Sequence, residues 1–365
     1  MHPGAPMEFD ISLWAIIGFT FAAYAVVGND ALQTLGTFIL SNSRLHWTVL
    51  FAFAAVVLVA VFTYGWVVNG GDPSYGRLAN AEKYPVVAIQ WYHTLPPLVL
   101  LVITRLGIPV STSFMVLAIF ATLEGLTSMT VKSMLGYGLA FVSALVLYLV
   151  LTPTVEKFFR KTEHQQHFIG WVVLQWITTA YLWGVWLAQD FANIFVFLPR
   201  ELTAIESFGA MGIIVILLAY TFSNKGGPVQ QVLKTKSNVT DIRSATIIDF
   251  SYASLLFFFI TLNDIPMSTT WVFLGLIAGR EVGMNAMGKT RDWSEVARII
   301  FSDAGKLFIG FVISVALAVL LPMLAASMTG GGTDATPLSG VVDESVAPAD
   351  GQDAPADGVE PQLFR

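Results

Sequence analysis

Two carboxylates sit inside stretches that are otherwise apolar enough to lie in a membrane. Asp30 belongs to Gly28-Asn29-Asp30-Ala31-Leu32-Gln33, and Asp190 to Gln189-Asp190-Phe191-Ala192-Asn193. A charged group in hydrocarbon is costly, so it needs a partner or a task. Each Asp has an amide directly before it, Asn29 or Gln189, and another at i+3, Gln33 or Asn193. Positions i and i+3 share one helical turn. Carboxylate and amide oxygens are the ligands that a hard cation such as Na⁺ prefers. The plainer reading is that each Asp caps the helix that follows it.

A second pair of motifs suits an anion. Pro109-Val110-Ser111-Thr112-Ser113 and Pro266-Met267-Ser268-Thr269-Thr270 each carry a run of hydroxyls just after a proline. Proline presets a helix start, and Ser or Thr caps its free N–H groups. Such an end offers N–H donors, hydroxyls and a positive dipole to an oxyanion. One motif alone reads as ordinary capping; two at matching positions point to a shared site. Asp264, in Asn263-Asp264-Ile265-Pro266, either ligates a cation or caps the next helix.

The elements that position these motifs are membrane spans. Of 365 residues, 55% are hydrophobic and 12% charged, with a mean hydropathy of +0.68. A soluble domain carries about 25% charged residues. Ten apolar stretches are expected spans: 11–40, 47–69, 86–104, 107–125, 133–152, 168–199, 207–223, 246–263, 264–280 and 306–328. The first and sixth are too long for one simple helix and are expected to break at Gly28-Asn29-Asp30 and Gln189-Asp190. With the N-terminus outside, inner segments hold 14 Lys and Arg and outer segments five. That asymmetry places both termini outside. The short pairs 86–104/107–125 and 246–263/264–280 either cross or form re-entrant hairpins.

The two halves share a layout. Asp30 to Pro109 is 79 residues and Asp190 to Pro266 is 76. Five crossings per half would turn the second half upside down, an inverted-topology repeat of the kind that builds midplane sites from broken helices. The expected architecture is therefore an all-α polytopic membrane protein: outer N-terminus 1–10, first repeat 11–152, inner linker 153–167, second repeat 168–328, and tail 329–365. The tail holds seven acids and one base, so the net charge of −6 belongs to it and it reads as a disordered appendage. No excess of bases exists to bind nucleic acid. There is no cysteine and no phosphate-binding Gly-x-x-x-x-Gly-Lys-Ser/Thr loop, which excludes thiolate chemistry and ATP hydrolysis through that motif. His164 and His167 have ligand spacing but no third ligand nearby, so no metal is expected. Asp249 and Glu124 read as interfacial, His93 as hydrogen-bonded between helices, and Arg200 as an outer anchor or an attractor of anions.

These motifs resemble the inorganic phosphate transporter family. Each half of that family carries a Gly-Ala-Asn-Asp-x-Ala-Asn signature and a Pro-x-Ser-Thr-Thr-His type signature. The resemblance covers most of residues 10–328 through four motifs. The departures are Leu32 for Ala, Gln33 and Gln189 for Asn, and Phe114 and Trp271 for the two His. The resemblance implies cation-coupled symport of inorganic phosphate across the inner (cell) membrane, with sulfate as the alternative. Na⁺ is the expected coupling ion and H⁺ the alternative; no cofactor is implied, and a homodimer is the assembly to consider. It assigns Asp30, Gln33, Asp190 and Asn193 to the cation and substrate site, and Ser111, Thr112, Ser113, Ser268, Thr269 and Thr270 to the anion; Asn29, Gln189 and Asp264 join the cation candidates by their position beside these motifs. The residues alone also allow a cation exchanger or channel, a sensor, or an intramembrane enzyme in which Asp30 and Asp190 share a proton.

Overall fold

The computed structural model describes residues 11–105, 110–162, 168–224, 242–262, 266–288 and 291–328. Among the described residues the chain is all-helical, with no strand. Seven helices are long and apolar enough to cross a membrane, and Trp91–Thr104 is a shorter apolar helix. The protein is thus a helical, polytopic membrane protein.

The first half contains α1 (Leu13–Ala25), a π-helical turn (Val26–Asp30), α2 (Ala31–Ser41) and α3 (Trp47–Val68). After a long loop come a 3₁₀ turn (Trp91–Thr94), α4 (Leu95–Arg105), α5 (Thr112–Leu117) and α6 (Leu123–Lys161). The second half contains α7 (Ile169–Phe195), α8 (Ala204–Ser223), α9 (Ile242–Leu262), α10 (Thr269–Gly288) and α11 (Trp293–Met328).

Local chemistry accounts for the helix starts. The Ser12 hydroxyl accepts from the N–H of Ala15 at 3.1 Å and caps α1. Thr203 and Glu206 form a reciprocal capping box at the start of α8. Lipid contact accounts for the apolar outer faces. In α3 only the stripe Leu50, Ala54, Leu58, Phe62 and Gly65 is buried, while Val56 and Val67 are exposed. That stripe has the period of one helix face, and a bilayer rather than water solvates the rest.

Several expected spans change form. The break at Gln189-Asp190 does not exist: α7 runs unbroken from Ile169 to Phe195. Polar side chains do not interrupt a helix when other side chains meet them, as Asn193 and Thr269 meet Asp190. At Gly28-Asn29-Asp30 the chain stays helical and only widens into the π turn. The expected span 107–125 is not one helix, because α5 has six residues and α6 begins at Leu123. The expected linker 153–167 is helical as far as Lys161. Residues 1–10, the tail 329–365, His164 and His167 lie outside the described residues, as do Pro109 and Asp264.

Packing pairs the helices in an exchanged pattern. α5 packs on α11 and α10 on α6; α1 packs on α4 and α7 on α9; α3 packs on α7 and α8 on α1. The closest approach is α10 on α6. A Cβ on Gly275 would strike the carbonyl of Tyr137, and one on Gly279 the carbonyl of Phe141. Small residues four apart let two membrane helices meet backbone to backbone.

Candidate cation and anion site

Asp30 closes the π turn, and Asp190 lies in the last two turns of α7. Both are fully buried, and their carboxyl groups are near enough to interact electrostatically. Residues 160 positions apart therefore share one centre. Among the described residues neither carboxyl forms an ion pair with Lys, Arg or His. Two ionised carboxyls this near repel, so a proton or a hard cation between them is the chemistry this geometry favours.

The hydroxyl motifs close around this pair with matching contacts. The Ser111 hydroxyl accepts from the N–H of Phe114 at 3.2 Å, and the Ser268 hydroxyl from the N–H of Trp271, also at 3.2 Å. The next residue in each motif reaches the aspartate of its own half. Asn29 Nδ2 links Thr112 Oγ1, 3.4 Å away, to Asp30 Oδ1, and the Thr269 hydroxyl lies 3.4 and 3.5 Å from the two oxygens of Asp190. Behind each motif the aromatic residues Phe114 and Trp271 pack at 5.4 Å. The motifs also touch directly, because the Ser113 hydroxyl donates to the carbonyl of Met267 at 2.9 Å.

The amides complete the cluster. Asn29 Nδ2 donates to Asp30 Oδ1 at 2.8 Å and lies 3.4 Å from Thr112 Oγ1. Asn193 Nδ2 donates to Asp190 Oδ1 and to Ser113 Oγ, each at 3.2 Å. Gln33 is half-buried and its carbonyl oxygen has no hydrogen-bond partner among the described residues. The Gln189 amide is buried and likewise unpartnered. So Asn29, rather than Gln33, is the amide that engages Asp30.

Five buried oxygens here accept or share no hydrogen bond with a described residue: Asp30 Oδ2, Gln33 Oε1, Gln189 Oε1, Asn193 Oδ1 and Thr270 Oγ1. A buried polar atom without a partner calls for an explanation, and a bound ion is one. The hydroxyls carry more of any anion binding than the helix ends do. α5 is too short for a sizeable dipole, and the Ser268 N–H already donates to Ser133 Oγ at 2.8 Å.

Three polar groups flank this cluster, and two of them, Arg77 and Asp249, were not legible as site chemistry in the sequence. Arg77, from the loop between α3 and α4, is buried and its Nε donates to the carbonyl of Ala188 at 2.9 Å, beside Gln189. That loop is tied to the one after α7, where Trp66 Nε1 donates to Leu202 O at 2.9 Å and Leu202 N to Gly71 O at 2.9 Å. Arg200 joins the same seam, donating to the carbonyl of Tyr84 at 3.3 Å. Burial pushes its guanidinium down to about 10 against the opposing pull of Asp72, so it stays charged at neutral pH. The third is Asp249, expected at an interface but 1% exposed in mid-helix. Glu124 does lie at the surface, 3.3 Å from Lys83. His93 is buried; its Nδ1 accepts from Gln90 N at 2.9 Å within its own turn, and the ring stacks on Phe120.

Compared with protein-family models, with curated proteins and with solved structures, the chain matches none.

Proposed function

We propose that the protein is a secondary active transporter that couples a cation, Na⁺ by preference, to the uptake of inorganic phosphate. The observation that supports this most is the convergence of two Ser-Thr motifs, each on the aspartate of its own half, around an Asp30–Asp190 pair buried away from water. In this reading the cation lies against the Asp30 and Asp190 carboxyls and the Asn29 and Asn193 amides. The hydroxyls of Ser111, Thr112, Ser113, Ser268, Thr269 and Thr270 line the neighbouring space for the anion.

The coupling follows from charge. An anion beside two bare carboxylates is repelled, and a cation between them removes that repulsion. Each ligand then favours the other, and the coupling is reciprocal. The buried cluster corresponds to a closed site, so release requires α2 and α7 to part from α5 and α10. The exchanged helix pairing supports an inverted repeat, the arrangement in which one half can rock against the other. The resemblance to the inorganic phosphate transporter family points the same way, and sulfate is the alternative substrate.

Uptake of labelled phosphate into proteoliposomes, with and without an imposed Na⁺ gradient, tests the reading. Gradient-driven accumulation is expected, with sulfate as the competitor. No uptake of either anion under a Na⁺ or a proton gradient refutes it. A cation exchanger is the second reading, favoured by the nearness of the two carboxyls. It is distinguished by cation flux that proceeds unchanged without any anion.

A further inference from the structure

We infer that Asp249 is a proton-binding site, set between α2, α7 and α9 and separate from the central carboxyl pair. Its Oδ1 accepts from Thr37 Oγ1 at 2.9 Å and its Oδ2 from Thr179 Oγ1 at 2.7 Å. The two donors come from different halves of the chain. Thr37 lies two helical turns beyond Asp30, about 10 Å along α2.

The geometry suits a proton better than a metal cation. The bracket offers four oxygens, two from the carboxyl and two from hydroxyls. The surrounding main-chain carbonyls are taken up within helices, and a hard cation seeks about six or more oxygens. A proton needs one carboxyl oxygen and one hydroxyl that can turn from donor to acceptor. A purely structural bracket would be served equally by Asn, without an ionisable group in the membrane interior.

No charged group on a neighbouring element neutralises Asp249 in an ion pair among the described residues. α2 presents Thr37 and Ser41 there, with Asp30 two turns away. α7 presents Thr179 and Gln175, with Asp190 three turns away; Gln175 bonds Ser41 and Asn42 instead. On α9 itself Arg243 turns to the Phe159 ring, 4.2 Å from its guanidinium carbon, and to Thr162. Tyr252 donates to the carbonyl of Thr269 at 3.1 Å. α10 contributes Arg280 and Glu281, the latter paired with Arg291 at 3.2 Å, and α6 contributes Tyr148. Thr37 also lines a mostly apolar cavity of about 430 Å³, together with Tyr148, Tyr252 and Arg280.

Protonation changes the bracket. One carboxyl oxygen becomes a donor, so a threonine must reverse its hydrogen bond, and the tie from α2 to α9 weakens. Because α2 begins directly after Asp30, proton binding at Asp249 biases the helix that adjoins the central site.

The test is infrared difference spectroscopy of the full chain in lipid nanodiscs across a pH titration. A protonated-carboxyl band should titrate in the wild type, a component of it should persist in an Asp30→Asn/Asp190→Asn variant, and that component should vanish when Asp249→Asn is added. A spectrum unchanged by Asp249→Asn overturns the site. Thr179→Val, which keeps the carboxyl, should move the midpoint of that band by about one pH unit; an unmoved midpoint also overturns it. The effect on the central site rests on the transport reading, in which Asp249→Asn should flatten the pH profile of phosphate uptake. Absence of uptake in the wild type would count against transport and leave the band to decide the proton site.

Discussion

Ser113 fastens one hydroxyl motif to the other: its Oγ donates to the carbonyl of Met267, 154 residues further along the chain, at 2.9 Å. The same oxygen accepts from Asn193 Nδ2 at 3.2 Å, so both halves meet on one hydroxyl. Ser113→Ala would strand a buried carbonyl and a buried amide. The expected cost is about 1–3 kcal/mol, read as a lower midpoint of thermal unfolding in detergent. An unchanged midpoint would show that the two motifs do not depend on this contact.

Thr270 separates binding from folding. Its hydroxyl is buried and has no hydrogen-bond partner among the described residues. Thr270→Val should leave thermal stability unchanged or slightly raised. If the hydroxyl serves an anion, phosphate affinity should fall roughly tenfold, the equivalent of about 1.4 kcal/mol. Equilibrium binding of labelled phosphate at fixed Na⁺ measures this, and equal affinities would remove Thr270 from the site.

Asp30 and Asp190 are expected to act as a unit because their buried carboxyl groups neighbour each other. Asp30→Asn and Asp190→Asn should each abolish cation-driven uptake, and the double variant should be no worse than either, as expected for residues sharing one ligand. The initial rate of uptake against Na⁺ concentration is the measurement. A variant that retains full Na⁺ dependence would place the cation elsewhere.

Close packing predicts opposite outcomes for the same change at two glycines. Gly279→Ala drives a methyl into the Phe141 carbonyl and should destabilise by about 1–3 kcal/mol. Gly212→Ala meets nothing within 4 Å and should stabilise α8 by about 0.5–1 kcal/mol. Paired thermal unfolding curves would show it.

The residues at the centre were legible in the sequence because polar groups in apolar runs are conspicuous and their spacing recurs. The motifs of Asp30, Asp190, Thr112, Thr269 and Asn193 stand out one by one in the sequence, while their meeting at one centre takes the fold. Helix continuity was harder to read. Gln189 and Asp190 look like a break in a hydropathy pattern, yet a helix needs only its own backbone bonds and α7 keeps them. Asp249 looked interfacial because it sits near the start of the expected span 246–263, while the threonines that hold it lie 212 and 70 residues away. Arg77 counted only as a loop charge, since nothing local reports that its loop folds back onto the end of α7.

The π turn at Val26–Asp30 makes chain length a functional variable. A π turn holds one residue more than the α-turn it replaces. Removing that residue would rotate all of α2 by about 100° relative to α1, carrying Asp30, Thr34 and Thr37 out of phase together. Substitution is another matter: a Cβ at Gly28 would meet nothing within 4 Å. The segment should therefore tolerate a new side chain at Gly28 and fail when Gly28 is deleted. Any superposition of α1–α2 on α7 must also open a one-residue gap there.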